Sequence, residues 1–296
     1  MRTTNDIRIS FTGSEGLLRL LAVNIAVFLV LALSKMIFFL SGSSTAVMEQ
    51  IISLLGMTSS VSQLAMQPWS LITYMFVHES FLHILFNMLT LFWFGKIFCE
   101  YFNSRKIVVV YLLGGIAGAL LYFLAYQLFP VFESVRHAST LIGASAGVIA
   151  VLVAISTLLP DYSMQLLLFG AVRLKYIAGF MVLLYLISIP DGNAGGNISH
   201  LGGALFGFVY TRLYRQGTDA GAWLEKLLAW FSGLFRPSSK IKVVHRKSGT
   251  FGDLSQKEKP RQEVIDAILD KISRSGYGSL SDKEKDILFK ASKGKD

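Results

Sequence analysis

The chain has 296 residues, of which 53% are hydrophobic and only 16% charged, against about 25% charged in ordinary soluble domains. A mean hydropathy of +0.53 excludes an ordinary soluble globule and makes lipid one of its solvents. The formal net charge of +9 could suit nucleic acid, but so apolar a chain is better read as placing its Lys and Arg beside the inner face of a bilayer, with no nucleic-acid partner.

Residues 1–16 read as a cytosolic N-terminal segment. Apolar runs able to cross roughly 30 Å of hydrocarbon follow near 17–40, 71–94, 107–129, 141–159, 175–189 and 199–214. They predict an all-α, polytopic membrane protein with a six-helix bundle over 17–214. The first run is too long for the apolar part of a signal peptide, and no small-residue cleavage pattern follows it, so it is expected to stay as a span. In the long connection to the second run, Val47, Ile51, Ile52, Leu54 and Leu55 recur at helical spacing, which predicts a helix partly immersed in the outer leaflet.

Arg2, Arg8 and Arg19 precede the first run, Lys96, Arg105 and Lys106 lie between the second and third, and Arg173 and Lys175 between the fourth and fifth, whereas the opposite loops hold only Arg136. This asymmetry predicts a multi-pass inner-membrane protein with both termini cytoplasmic. Beyond the sixth run, Trp223, Leu224, Leu227, Leu228, Trp230, Phe231, Leu234 and Phe235 predict an amphipathic helix over 215–235, resting on the inner surface. Of the 47 charged side chains, 24 fall in Arg236–Asp296. There, 236–260 reads as a linker and 261–296 as a small cytosolic helical hairpin. Its first helix carries Val264, Ile265, Ile268, Leu269 and Ile272 and stops before Gly276; its second starts at Ser281, where Glu284 has the spacing of a capping box. No catalytic group is evident in the hairpin, and its partner is unknown.

Polar groups inside spans are expensive and are functional candidates by default. They fall at His78, His83 and Asn87 in the second run, Ser145 in the fourth, and His200 at the head of the sixth. His83 and Asn87, four apart, share a helix face. At roughly 1.5 Å per residue from the nearest cytoplasmic-side charge, His83, Ser145 and His200 all lie about 18–24 Å in, at one level below the outer surface. Gly114 and Gly118, Gly143 and Gly147, and Gly203 and Gly207 each set two small residues on one face, the pattern of close helix packing. Such packing would bring Ser145 and His200 within hydrogen-bond reach, the serine as nucleophile and the histidine as general base. His83, Asn87 and the Ser145 amide would face the oxyanion. With Asp161 and Asp191 at span ends and no carboxylate at that depth, a dyad is expected rather than a triad.

The motifs His78-Glu-Ser-Phe-Leu-His83-Ile-Leu-Phe-Asn87, Gly143-Ala-Ser145-Ala-Gly147 and His200-Leu-Gly-Gly203-Ala-Leu-Phe-Gly207 resemble those of rhomboid intramembrane serine proteases of bacterial type, over 17 to about 214. The resemblance implies Ser145 and His200 as the dyad, His83 and Asn87 as oxyanion-hole donors, and His78 as a supporting histidine. It also implies cleavage of membrane-anchored or transmembrane-helix proteins within the bilayer, usually after a small residue, with no cofactor. The chain departs from the family pattern at three places. Ser70 follows Trp69 where Arg is common, Ala146 follows the serine where Gly is common, and Ile149 stands where an aromatic residue often packs on the histidine. The hairpin resembles a small module appended to some rhomboids, which assigns it no chemistry.

Two other readings compete. A non-cleaving rhomboid-like adaptor could use the same fold, although it need not keep both Ser145 and His200. A metalloprotease reading of His78-Glu79 and His83 needs histidines four apart, whereas these are five apart. With the single cysteine Cys99 and no second carboxylate nearby, no metal site is expected.

Overall fold

A computed structural model describes residues 14–42, 46–166, 169–234 and 252–292. The expected N-terminal segment thus lies outside the described residues up to residue 13, as do Arg2 and Arg8, Phe235, and the linker from 236 to 251. The chain divides into two compact units, Met1–Phe235 and Arg236–Asp296.

The first unit is a bundle of six helices. These are α1 (Glu15–Leu40), α2 (Phe81–Tyr101), α3 (Ser104–Leu128), α4 (Ser145–Leu158), α5 (Leu174–Ile187) and α6 (Ala194–Arg215), followed by α7 (Ala222–Leu234). Helices α1, α2 and α3 are long and apolar enough to cross a membrane, while α4 and α5 are shorter apolar helices of 14 residues each. The short α4 is the buried centre, with α3 and α6 packed along it. α1 presents Leu29, Val30, Ile37 and Phe39 outward, the side chains of a lipid-facing surface.

Small residues explain how α3, α4 and α6 come so close. A Cβ at Gly114 or Gly118 of α3 would run into the Cβ of Ala150 or Ala146. A Cβ at Gly203 or Gly207 of α6 would run into the carbonyls of Ala146 and Ala150, and one turn further Thr211 Oγ1 donates to the Ala154 carbonyl at 3.1 Å. The seam between α4 and α6 therefore repeats every four residues, with backbone against backbone.

Helix starts follow local chemistry. Ser80, in extended conformation, accepts from the His83 amide and caps α2; Asn103 accepts from the Arg105 amide and caps α3; Asn193 accepts from the Gly196 amide and caps α6. These caps correct two expected boundaries. The second apolar run breaks into a turn at Ser70–Thr73 and a 3-10 turn at Tyr74–Phe76 before α2 begins at Phe81. α6 starts five residues before Ser199, so His200 lies two turns inside it rather than at its head. Hydropathy missed that extension because Ala194-Gly-Gly-Asn-Ile-Ser is polar and glycine-rich, yet Asn193 holds it helical.

The connection from α1 to α2 contains the expected helix, Ala46–Leu55, and a second one, Val61–Met66. Between them, β1 (Met57–Thr58) pairs antiparallel with β2 (Thr140–Leu141), just upstream of Ser145. A second hairpin, β3 (Ser163–Leu166) with β4 (Gly170–Arg173), links α4 to α5. The Asp161 carboxylate beside it accepts from Lys175 at 2.8 Å, and that ammonium holds its pKa below the usual range.

The second unit is a helical hairpin, α8 (Gly252–Ser275) and α9 (Asp282–Ser292), turned at Gly276 with φ +74°. The residues read as linker up to 260 thus include the first turns of α8. At the start of α9, the Ser281 amide donates to Glu284 at 2.7 Å and the Glu284 amide to Ser281 Oγ at 3.4 Å, the reciprocal box expected from the sequence.

Candidate active site

Ser145 is the first residue of α4, placed there by a sharp backbone reversal at Gly143. The Gly143 amide donates to the Tyr74 carbonyl at 3.0 Å, and its φ of +120° lies where only glycine rests without strain. A Cβ at Gly143 would also stand 2.8 Å from Cε1 and Nε2 of His83. Glycine is thus required twice, once for the turn and once to admit the imidazole edge beside the serine. Because Ser145 opens the helix, the first-turn amides of α4 lack intrahelical acceptors and point toward the same space.

The α4–α6 seam then sets the histidine. His200 Nε2 lies 2.6 Å from Ser145 Oγ, with both residues half-buried. His200 Nδ1 is buried and has no hydrogen-bond partner among the described residues. Asn87 of α2 lines the same cavity. Its Nδ2 donates to the His83 carbonyl at 2.8 Å, which fixes the amide while leaving its second N–H available. His78, only 5% exposed, meets His83 edge to face, with ring centroids 5.1 Å apart. The sequence-predicted residues Ser145, His200, His83 and Asn87 therefore converge on one cavity, and His78 packs behind them.

That cavity encloses about 1080 Å³. Leu82, Phe86 and Thr90 of α2 and Met181 and Tyr185 of α5 line it. The floor carries Tyr122, whose hydroxyl donates to Ser139 at 2.8 Å, and Tyr126, stacked on Phe132. Exposed Glu79 lines the cavity too. It sits in the capping turn before α2, where the apolar run gave no hint of a break. Among the described residues no three His, Cys, Asp or Glu side chains come together as metal ligands.

Several supporting residues have no sequence signal. Tyr185 stacks obliquely on His200, with centroids 4.2 Å apart, although Ile149 holds the position expected to support the ring. The first connection is fastened without an arginine after Trp69. The Trp69 Nε1 donates to the Leu54 carbonyl at 2.9 Å, Thr73 Oγ1 to the Leu55 carbonyl at 2.6 Å, and Gln127 Nε2 to the Ser59 carbonyl at 2.7 Å. Ser70 is fully buried there, its hydroxyl 3.7 Å from the Met57 sulfur. Deeper in the bundle, Asn24 of α1 is buried and donates to Leu20 O and Tyr111 Oη, another polar group inside a span.

Comparison with known proteins gives two matches. Residues 65–217, from the end of the first connection through α6, match the Rhomboid domain. Residues 253–294 match a family of unknown function, DUF6576, so the hairpin is a recognisable unit whose role the match does not assign. No curated protein matches the chain. Since the Rhomboid match spans more than half the residues, and since that family consists of intramembrane serine proteases, the chain belongs to the rhomboid family and is an intramembrane serine protease.

Proposed function

We propose that Ser145 is the nucleophile and His200 the general base of an endopeptidase acting on transmembrane or membrane-anchored proteins. The observation that carries this reading is the 2.6 Å contact between Ser145 Oγ and His200 Nε2 inside a cavity open enough to admit a chain. Oγ attacks the scissile carbonyl carbon while its proton passes to Nε2. The oxyanion is met by His83, Asn87 and the Ser145 amide. His200 then gives the proton to the departing amide nitrogen, the C–N bond breaks, and an acyl-serine remains. A water loses a proton to Nε2, adds to the acyl carbon, and releases the new carboxyl end and the free serine.

The substrate segment comes sideways from the lipid between the α2 and α5 walls. It must unwind there, because an intact helix keeps its carbonyls in its own hydrogen bonds. The basic loop residues put both termini on the cytoplasmic side of an inner membrane and the cavity mouth toward the outer face. On this reading the catalytic domain is 17–214, α7 rests on the inner surface, and the hairpin is a separate cytosolic module that takes no part in bond cleavage.

Purified protein, Ser145→Ala and His200→Ala, incubated with a single-span substrate and labelled with a fluorophosphonate, tests the assignment. Each substitution is expected to lower turnover by about three orders of magnitude or more, and only chains retaining Ser145 should label. Equal cleavage by all three would overturn it. A full bundle truncated after residue 235 is expected to cleave as the intact chain does.

A further inference from the structure

His200 is held by one hydrogen bond, between Nε2 and Ser145 Oγ, and among the described residues no carboxylate or carbonyl takes its Nδ1. One bond fixes a point on an imidazole but leaves the ring free to tilt about it, so packing must set the plane. Beneath Ser145 the neighbours on α4 that line the cavity, Val148 and Ile149, are aliphatic and offer no flat surface. The flat surface comes from α5. The Tyr185 ring lies 4.2 Å from the His200 ring, with planes inclined at 58°, an attractive aromatic geometry that a change of a few tenths of an ångström would weaken.

The helix that supplies this ring is unevenly held. Its buried residues, Leu174 and Ala178, lie in its first five positions, whereas Leu183, Leu186 and Ile187 in its second half are exposed. Met181, Val182 and Tyr185 of this half are partly buried against the core, and Met181 and Tyr185 line the cavity.

We propose that Tyr185 is a positioning residue for His200, and that through it the alignment of the Ser145–His200 pair depends on where the second half of α5 sits. The proposal rests on the reading of that pair as nucleophile and base.

Steady-state cleavage of a single-span substrate by the purified full chain, with Tyr185→Leu and Tyr185→Phe, tests this. Replacing the ring by leucine keeps apolar bulk but removes the flat face. It should lower kcat by about 10- to 100-fold, as sub-ångström to 1 Å misplacement of a reacting group does, with KM changed less than about twofold, since no substrate contact of comparable weight is lost. Fluorophosphonate labelling of Ser145 should slow by the same factor. Phenylalanine, which keeps the ring, should recover most of both. Unchanged kcat in Tyr185→Leu, a loss confined to KM, or a phenylalanine variant as slow as leucine would overturn the proposal. Should the leucine variant fail to fold, Tyr185→Met makes the same non-aromatic replacement. Ser145→Ala run alongside separates the two claims: if it cleaves normally, the assignment of the reacting pair is wrong; if it is inactive while Tyr185→Leu is fully active, only the role of Tyr185 is wrong.

Discussion

Gly203 of α6 lies against the carbonyl oxygen of Ala146, so the residue after Ser145 and the residue three beyond His200 meet backbone to backbone. The same contact recurs one turn on at Gly207 and Ala150. No side chain stands between the two helices at the level of the reacting pair, which is why a serine hydroxyl and a histidine on separate helices can be 2.6 Å apart.

The first prediction follows from that seam. Gly203→Val would wedge α6 from α4 directly beside the pair. It is expected to destabilise the bundle by about 1–3 kcal/mol through overpacking, read as a lower melting temperature, and to slow fluorophosphonate labelling of Ser145 by about a hundredfold. Gly179→Ala, in α5 where a Cβ meets nothing within 4 Å, is expected to leave the melting temperature within about 1 °C. Equal melting of the two variants would remove the seam as the reason for the geometry.

Much of this seam was legible in the sequence, because small residues four apart and polar groups at one depth have few uses in a membrane. The paired glycines of α3 and α6, Gly147 of α4 and the group Ser145, His200, His83 and Asn87 are such signals, whereas Gly143, expected to share a helix face with Gly147, lies in the turn before α4. What stayed hidden depends on contacts between distant segments. Tyr185 is one of many aromatic residues in apolar runs, and only the fold sets it on His200. The β1–β2 pairing joins Thr58 to Thr140 across 82 positions, and two-residue strands carry no periodicity to read. The true start of α6 was masked because a glycine-rich polar stretch resembles a loop until its cap, Asn193, is seen to close on Gly196.

The second prediction concerns the oxyanion donors. Asn87 uses one amide hydrogen on the His83 carbonyl, the other being the donor to substrate on the proposed reading, while the His83 ring edge lies beside Gly143. Asn87→Ala and His83→Ala are each expected to lower kcat by about 10²–10³-fold, because such donors act mainly as charge develops, with KM little changed. The double variant should lose less than the product of the two, since on the proposed reading both donors serve one oxygen. Parallel measurements of kcat and KM check this; a loss carried by KM would assign the two residues to ground-state binding instead.

The third prediction is a pH effect on the unit that includes α7. Lys106 at the start of α3 is 9% exposed and paired with Asp219, and it donates to Glu225 of α7 at 3.0 Å. Asp219 also accepts from the Gly221 amide at 3.1 Å. Burial would raise the Asp219 carboxyl, but the Lys106 ammonium and the Gly221 amide outweigh it and hold the pKa below its ordinary value of 3.8. A carboxylate depressed in the folded state contributes stability above its unfolded pKa and loses it as pH falls through the folded value. The melting temperature should therefore fall below about pH 4. Asp219→Asn should melt lower at neutral pH, by about 1 kcal/mol given that 27% of the carboxylate side chain faces solvent, and should converge with the unsubstituted chain in acid. Parallel curves from pH 7 to 3 would refute the linkage.

The fourth prediction lies in the hairpin, where the same sign rule meets the half-buried Glu284. Glu284 accepts from Lys271 Nζ at 2.9 Å and from the Ser281 amide at 2.7 Å, and these bonds pull its pKa from 4.5 to about 2. The cap of α9 and its tie to α8 should be intact above pH 4.5 and should weaken as pH falls toward 2, because a protonated carboxyl no longer attracts the ammonium and accepts the amide only weakly. Hydrogen exchange across Asp282–Ser292 in the intact chain, corrected for the intrinsic rate at each pH, should show protection falling over that window. Lys271→Met removes the ammonium that lowers the Glu284 pKa most and should move the loss of protection to higher pH. Ser281→Ala should lower protection at every pH by removing the reciprocal bond to the Glu284 amide. If protection were flat from pH 5 to 2, the box would be a geometric coincidence and α9 would owe its start to the Gly276 turn alone.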